Sequence, residues 1–325
     1  MLRRLAICVV LALGVAAPSA SQTAAPTLHF STFVTTDLPL GQVMWSGSEF
    51  LYNAENLGKI EASDLAGHNF REFAAFDLGG EEMRCAPNPS KPKYWPDGIY
   101  CHTPDNRILR LALDGSSITE LARVPSRSNS DGALAFDTVG RFGYALLAAT
   151  GGSGVGGGQV FAIRKTGKVD LIGSYSGPGG AENIEIAPAK FGSASGSLLI
   201  AIDQDHVEGR VLAINRKGTV KTLARGLGNG LNPIMAIAPA PAPAKRAAGT
   251  PAAGVYIADT VSKKVFFAPA AALKKFVGGV LVASELTGQF WLVRPKATGS
   301  GFEALPVTTD LPAIAYNLEG STFVP

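Results

Sequence analysis

Charge is scarce in this chain. Only 17% of its 325 residues are Asp, Glu, Lys or Arg, and the formal net charge is +3. Such a surface lacks the concentrated positive field that selects nucleic acid or anionic lipid, so neither is expected as the main partner. Histidine is equally sparse: the four (His29, His68, His102 and His206) are scattered, with none at H-x-x-x-H spacing. No G-x-S-x-G nucleophile elbow occurs. Gly152 to Gly157 spells G-x-G-x-x-G, but a strand-forming run follows it where a dinucleotide fingerprint needs a helix N-terminus. Long apolar runs are missing too. After the first residues, no stretch is long enough to cross a bilayer, so no membrane span is expected in the mature chain.

The one apolar run near the start reads as a targeting segment. Arg3 and Arg4 form a basic head, Leu5 to Val15 is apolar, and small residues from Ala16 to Ser21 follow. About a dozen apolar residues suit a signal peptide, whereas a membrane span needs roughly twenty. Residues 1–22 are therefore expected to be a leader, cleaved between 17 and 25, and the protein to be secreted or periplasmic. Cys8 lies inside the apolar run behind Ile7, which rules out a lipobox. Losing Arg3 and Arg4 takes the formal charge from +3 to +1. Of the three cysteines, Cys85 and Cys101 remain. They fall on neighbouring antiparallel strands and are expected to pair in an oxidising compartment, two buried free thiols being the alternative. Neither is a nucleophile candidate, because no His is placed to activate it.

What the chain does have is glycine, 38 residues of it, and a repeat. "GSLLIAIDQD…GRVLAINRKG…TVKTLAR" over Gly196 to Arg225 is strand, turn, strand, turn, strand. The same grammar recurs from Gly98, Gly143, Phe50, Gly254 and Gly279. A further strand precedes the clearest copies and opens on an acid or amide: "EEMRCAP" at Glu81, "DGALAFD" at Asp131, "ENIEIAP" at Glu182 and "NPIMAIAP" at Asn232. These openers lie about 50 residues apart. Four β-favouring strands at that period predict an all-β, single β-propeller of six four-stranded blades over residues 27–325. "LHFSTFV" near the N-terminus is expected to close the ring as an outer strand. Residues 238–254, rich in Pro and Ala, read as a surface loop between two strands of one blade. Pro269 to Phe276 reads as a short helix, and Glu319 as an opener of unassigned blade.

In a propeller the inner strands all start at one face, and the turns from second to third strands emerge there too. The repeat thus predicts an inner ring of Gln42, Glu81, Asp131, Glu182 and Asn232, with Glu319 possible. An outer ring holds Glu55, Thr103, Thr150, Asp203, Asp259 and Glu285. Oxygen ligands without nearby Cys suit a hard divalent cation, Ca²⁺ most of all. The competing account is local: Asp and Asn at strand openings also set turns through bonds to nearby backbone. Clustered carboxylates in a confined channel raise one another's pKa unless a cation compensates. His102, at the end of a second strand, is the single candidate base, with burial in the blade as the alternative.

With these motifs in place, the chain resembles the SMP-30/gluconolactonase/LRE-like superfamily of six-bladed propellers. "GQVMWSGSEFLYNAENLGKI", "SDGALAF", "GAENIEIAP", "GLNPIMAIAP" and "GVYIADT" carry the resemblance, over most of Leu40 to Val307; NHL-type propellers are also similar. The resemblance implies one divalent metal at the channel mouth and hydrolysis of lactones or related esters by a metal-activated water. Asp131 stands where the family often has the Asn of an Asn-Gly-Leu motif, and Glu182 and Asn232 face the channel by repeat position; these three are the expected metal ligands. Where the family's first metal-binding Glu stands, four residues before the motif's Trp, this chain has Gly41. Two functions follow as expectations: a metal-dependent hydrolase of a small lactone or ester, with Gln42, Glu81 and Asp203 on the substrate; or a non-catalytic exported propeller that binds a small molecule, glycan or protein at the same face. Oligomeric state is not legible.

Overall fold

The computed structural model describes residues 25–77, 82–88, 94–126, 132–151, 157–203, 208–228, 230–237, 250–311 and 316–324. The leader and most of the Pro/Ala-rich loop lie outside that set.

Two short N-terminal strands, β1 (Thr27–Leu28) and β2 (Ser31–Thr35), precede the first blade. Blade one is β3 (Leu40–Trp45), β4 (Phe50–Ala54), β5 (Lys59–Ser63) and β6 (Arg71–Ala75). Blade two is β7 (Arg84–Pro87), β8 (Ile99–His102), β9 (Arg107–Leu111) and β10 (Ile118–Arg123). Blade three runs β11 (Ala133–Phe136), β12 (Leu146–Gly151), β13 (Gly157–Ile163) and β14 (Val169–Ser176). Blade four runs β15 (Gly180–Ile186), β16 (Leu198–Asp203), β17 (Arg210–Ile214) and β18 (Val220–Ala224). The six blades form the propeller that the repeat predicts.

The last two blades are interleaved. β19 (Leu231–Ala236) is the inner strand of blade five, but the next two strands, β20 (Gly254–Asp259) and β21 (Lys264–Pro269), belong to blade six. A 3-10 turn over Ala272–Phe276 then returns the chain to blade five as β22 (Val280–Ser284), β23 (Phe290–Pro295) and β24 (Phe302–Thr309). Finally β25 (Leu318–Val324) enters blade six as its inner strand, antiparallel to β20. The 238–254 loop therefore joins two blades, not two strands of one, which corrects the sequence reading. Blade six is closed on its outside by β2, antiparallel to β21, while β1 lies parallel to β24 as a fifth strand of blade five. The inner strands β3, β7, β11, β15, β19 and β25 pack against one another in that order around the channel.

Burial explains why the second and third strands read as unbroken apolar runs. They are sandwiched between neighbouring blades, so both faces are covered; every residue of β4, β20 and β22 is buried. Outer strands have one wet face, and β6 and β10 leave Arg71, Glu72, Ile118, Thr119 and Glu120 exposed. Between blades two and three, Tyr100, Phe136, Leu146 and Phe161 pack with Trp95. Each such side chain removed from water contributes roughly 1.5–3 kcal/mol. The repeated Gly at the start of the second strand has a steric cause: a Cβ on Gly98 or Gly254 would lie 2.6 Å from the Leu111 carbonyl oxygen or 2.1 Å from that of Ala268.

Cys85 and Cys101 are bonded, directly opposite each other on β7 and β8. Asp137, which closes the blade-three opener motif, is buried and accepts five backbone N–H bonds, from Val139, Gly140, Arg141, Phe142 and Tyr144. That carboxylate organises a loop. Among the described residues, no helix is long and apolar enough to cross a membrane.

Candidate functional site at the channel mouth

Hydrogen bonds bring the turns between second and third strands to the mouth. In blade one, Glu55 N–H donates to the Pro39 carbonyl; in blade five, Glu285 N–H to Gly230; in blade six, Thr260 N–H to Asn317. Each of these three turns is thus tied to the segment that leads into its own inner strand, which puts turn and inner-strand entry at one face in blades one, five and six.

At that mouth Glu55, Glu82 and Glu319 converge, with one carboxylate oxygen of each within 4.8 Å of the others. Arg84 runs into the cluster from β7. Its Nη2 lies 2.6 Å from Glu82 Oε2 and 2.7 Å from Glu319 Oε2, and Nη1 donates to the Gly41 carbonyl at 2.8 Å. The guanidinium is only 2% exposed and Glu319 1%. Glu319 is further fixed by Asn232 Nδ2, donating at 2.7 Å, and Asn317 Nδ2, donating at 2.8 Å. Asn183 in turn donates to Asn232 Oδ1 at 3.1 Å. Blades one, two, four, five and six therefore all contribute to one polar network.

The electrostatics are those of a site with too much negative charge. Burial, then the Glu82 carboxyl beside it, pushes Glu55 up to about 9, with Arg84 opposing and Glu285 adding to the rise. Burial also drives Glu319 well above the ordinary carboxylate range, against the pull of Arg84. Among the described residues, Glu55 Oε2 is buried without a hydrogen-bond partner. Gly41 makes this possible: a Cβ there would lie 2.6 Å from Glu55 Oε2 and 3.2 Å from Arg84 Nη1. The missing Cβ of Gly41 thus leaves the space that the Glu55 carboxylate takes.

The predicted residues divide. Asn232 is in the network, fully buried beside Glu319. Gln42 Nε2 donates to the Cys85 carbonyl and its Oε1 accepts the Cys85 N–H, both at 2.8 Å, so its amide bridges blades one and two as a peptide group would. Glu81 and Asp131 lie outside the described residues. Glu182 and Asp203 sit on β15 and β16, their side chains outside the described set. Of the outer ring, Asp259 sets its own turn, accepting from Ser262 N–H at 3.0 Å and Asn317 N–H at 2.8 Å. His102 is fully buried opposite Arg84, under Gly132, and burial pushes it down to about 4. That imidazole is a neutral packing group. Glu82 and Arg84 escaped sequence reasoning, although "EEMRCAP" carries three charges, one of them basic, where the other openers carry two acids or none.

No family model matches the chain, and no curated protein matches it. Solved structures similar to it include that of streptogramin B lyase, with 14% identity, a TM-score of 0.48, and 87% of this chain and 74% of that one covered. A protein from Lactobacillus plantarum gives 12%, 0.49, 87% and 73% in the same order. The PQQ-bound aldose sugar dehydrogenase from Streptomyces coelicolor gives 15%, 0.49, 89% and 91%. Nothing about chemistry is carried over from these likenesses.

Proposed function

We propose that this is an exported propeller whose channel mouth holds a divalent cation, Ca²⁺ above all, and hydrolyses a small lactone or ester there. One observation carries the reading: the Glu55 carboxylate stands in the space beside Gly41, supplying an anionic oxygen where the SMP-30-like pattern lacks its first ligand. The residues fit a hard cation. Among the described residues three carboxylates converge, the buried Glu55 Oε2 has no hydrogen-bond partner, and one guanidinium offsets them. Glu55, Glu82 and Glu319 would hold the ion, with Asp131 and Glu182 as further ligands by repeat position. Such an ion supplies a polarised carbonyl and a bound water of lowered pKa. Asn232 and Asn317 orient Glu319, and Arg84 fixes Glu82 and Glu319 against each other. Gln42 holds blade one to blade two; Glu81 and Asp203 remain the proposed substrate contacts.

The second reading, a non-catalytic propeller binding a small molecule, glycan or protein, is favoured by Arg84, which already supplies a cation at the centre, and by the burial of His102. Metal content by mass spectrometry and melting with and without chelator separate the two. One bound divalent ion per chain, lost in Glu55→Gln and weakened in Gly41→Ala, supports the first and leads to a pH-stat screen of lactones and esters. The Gly41→Ala methyl would displace the Glu55 carboxylate, while leaving the fold nearly as stable because the side chain can swing outward. Absence of metal, with melting unchanged by chelation, sinks the cation reading.

A further inference from the structure

A second cavity lies away from the mouth, between blades two and three. β7 starts at Arg84 in the mouth network and runs four residues, so the segment after Pro87 lies at the opposite end of the blade. That segment and the one after β11 enclose about 60 Å³, lined by Tyr94, Trp95, Phe136 and Tyr144 together with Asn88 and Asp137. Tyr94 and Tyr144 are stacked, with centroids 3.9 Å apart and planes 11° from parallel. Trp95 stands edge-on to Phe136 at 5.4 Å. Holding Tyr144 there is unfavourable for its backbone: φ is 58°, the left-handed region that bulky side chains avoid. Three features keep it in place. Asp137 Oδ2 accepts its N–H at 3.0 Å, and Trp95 Nε1 donates to its carbonyl at 2.7 Å. Gly140 leaves room for the ring, since a Cβ there would lie 2.6 Å from Tyr144 Cζ. Strain of this kind persists only where the surroundings fix it, and it gathers at ligand sites.

The lining decides what the cavity can hold. Asn88 Nδ2 and Trp95 Nε1 donate to backbone carbonyls, so neither is aimed at an anionic guest. Among the described residues no Lys, Arg or His lines the space. Asp137 is buried, its oxygens held by five backbone N–H groups, and among the described residues no cation forms an ion pair with it. Four aromatic rings and one fixed negative charge attract a cation, most of all one that is weakly hydrated. Size narrows the choice. At roughly 10–15 Å³ per water-sized group, the cavity holds about four to six such groups. A trimethylammonium head with its methylene matches that; a pyranose ring with its hydroxyls exceeds it. We infer that the cavity between blades two and three is a cage for a methylated ammonium group, free as in choline or carried on a lipid headgroup. The cage is independent of the mouth and of the hydrolase reading.

The test is titration calorimetry with choline, tetramethylammonium and 3,3-dimethylbutan-1-ol, the neutral carbon isostere of choline. Excess Ca²⁺ keeps the ammonium compounds from the mouth carboxylates. Choline and tetramethylammonium should bind one per chain, about tenfold or more tighter than the neutral alcohol. Tyr94→Leu and Tyr144→Gly should each weaken choline about tenfold. Glycine also relieves the left-handed backbone at 144, so this variant loses a ring without adding strain, and its melting curve checks that it is folded. Tyr94→Leu leaves the 137–145 loop untouched and carries the test if Tyr144→Gly does not fold. Vesicles separate the two sources. Phosphatidylcholine vesicles that sediment the chain, and release it to free choline, assign a lipid headgroup; vesicles that leave a choline-binding chain in solution assign a free ammonium compound. Equal affinity for the neutral alcohol, undiminished choline binding in the folded tyrosine variants, or no choline binding at all overturns the cage.

Discussion

Replacing Arg84 by Met tests the electrostatic account most directly. The guanidinium is 2% exposed, within 2.6 Å of Glu82 and 2.7 Å of Glu319, and bonded to the Gly41 carbonyl. Methionine keeps much of the volume and removes the charge and all three contacts. Breaking a buried ion pair by deleting one partner costs about 3–5 kcal/mol, because the remaining charge is stranded. An unfolding entropy of about 2.1 cal/mol/K per residue over roughly 300 residues makes 1 kcal/mol about 1.6 °C. The chelated variant should therefore melt about 5–8 °C lower at pH 8. The pH dependence gives a second, independent sign. Glu319 already sits well above its ordinary range, and losing Arg84 raises it further. An acid raised on folding stabilises fully below its unfolded pKa, and that stability is lost as pH climbs toward the folded value. The deficit should hence be small at pH 5 and widen toward pH 8. Arg84→Lys should recover only part of it, since an ammonium cannot span a carbonyl and two carboxylates in one plane. Differential scanning calorimetry at both pH values is the assay. A drop under about 2 °C at pH 8, or a deficit as large at pH 5, would refute the view that Arg84 is the counter-ion of the mouth.

Two other outcomes follow. Reducing Cys85–Cys101, which closes a loop of 16 residues, should remove about 3 kcal/mol, read as a melting point about 5 °C lower in dithiothreitol and no change in a Cys85→Ala/Cys101→Ala variant. In the channel wall, burial pushes Glu185 up to about 7, against bonds from the Ile186 and Ala236 N–H groups. Its stabilisation is complete below an unfolded pKa of about 4.3 and is lost as pH rises through about 7. Glu185→Gln should therefore raise the melting point at pH 8, change it little at pH 4, and flatten the profile between; equal shifts at both ends would contradict that assignment.

The propeller was legible because each blade repeats one strand grammar and because strands covered on both faces lose their alternation. The same regularity hid the interleaving. "GVYIADT" and "GVLVASE" are near-equivalent second strands, and nothing in either says which inner strand it will meet, so chain order misplaced both; register decided it, with β20 on β25 and β22 on β19. The mouth was half legible. Asn232 and Glu55 came from repeat position, but Gln42 was drawn to backbone because an amide can satisfy a peptide group across blades. Arg84 was invisible for the opposite reason. A lone basic residue in an inner strand acquires meaning only when carboxylates distant in sequence, such as Glu319, are folded around it.

The interleaving also makes the mouth depend on strands far apart in sequence. Blade six draws its outer strand from residues 31–35, its middle pair from residues 254–269 and its inner strand from residues 318–324. That last strand brings Glu319, which ties Arg84 to Asn232. The first four blades are each contiguous in sequence, whereas the acidic centre needs Glu319 from the last strand. A chain that loses its final strand forfeits the innermost wall of a blade instead of a dispensable edge. Charge assembly at the mouth thus reports that the whole ring has been finished.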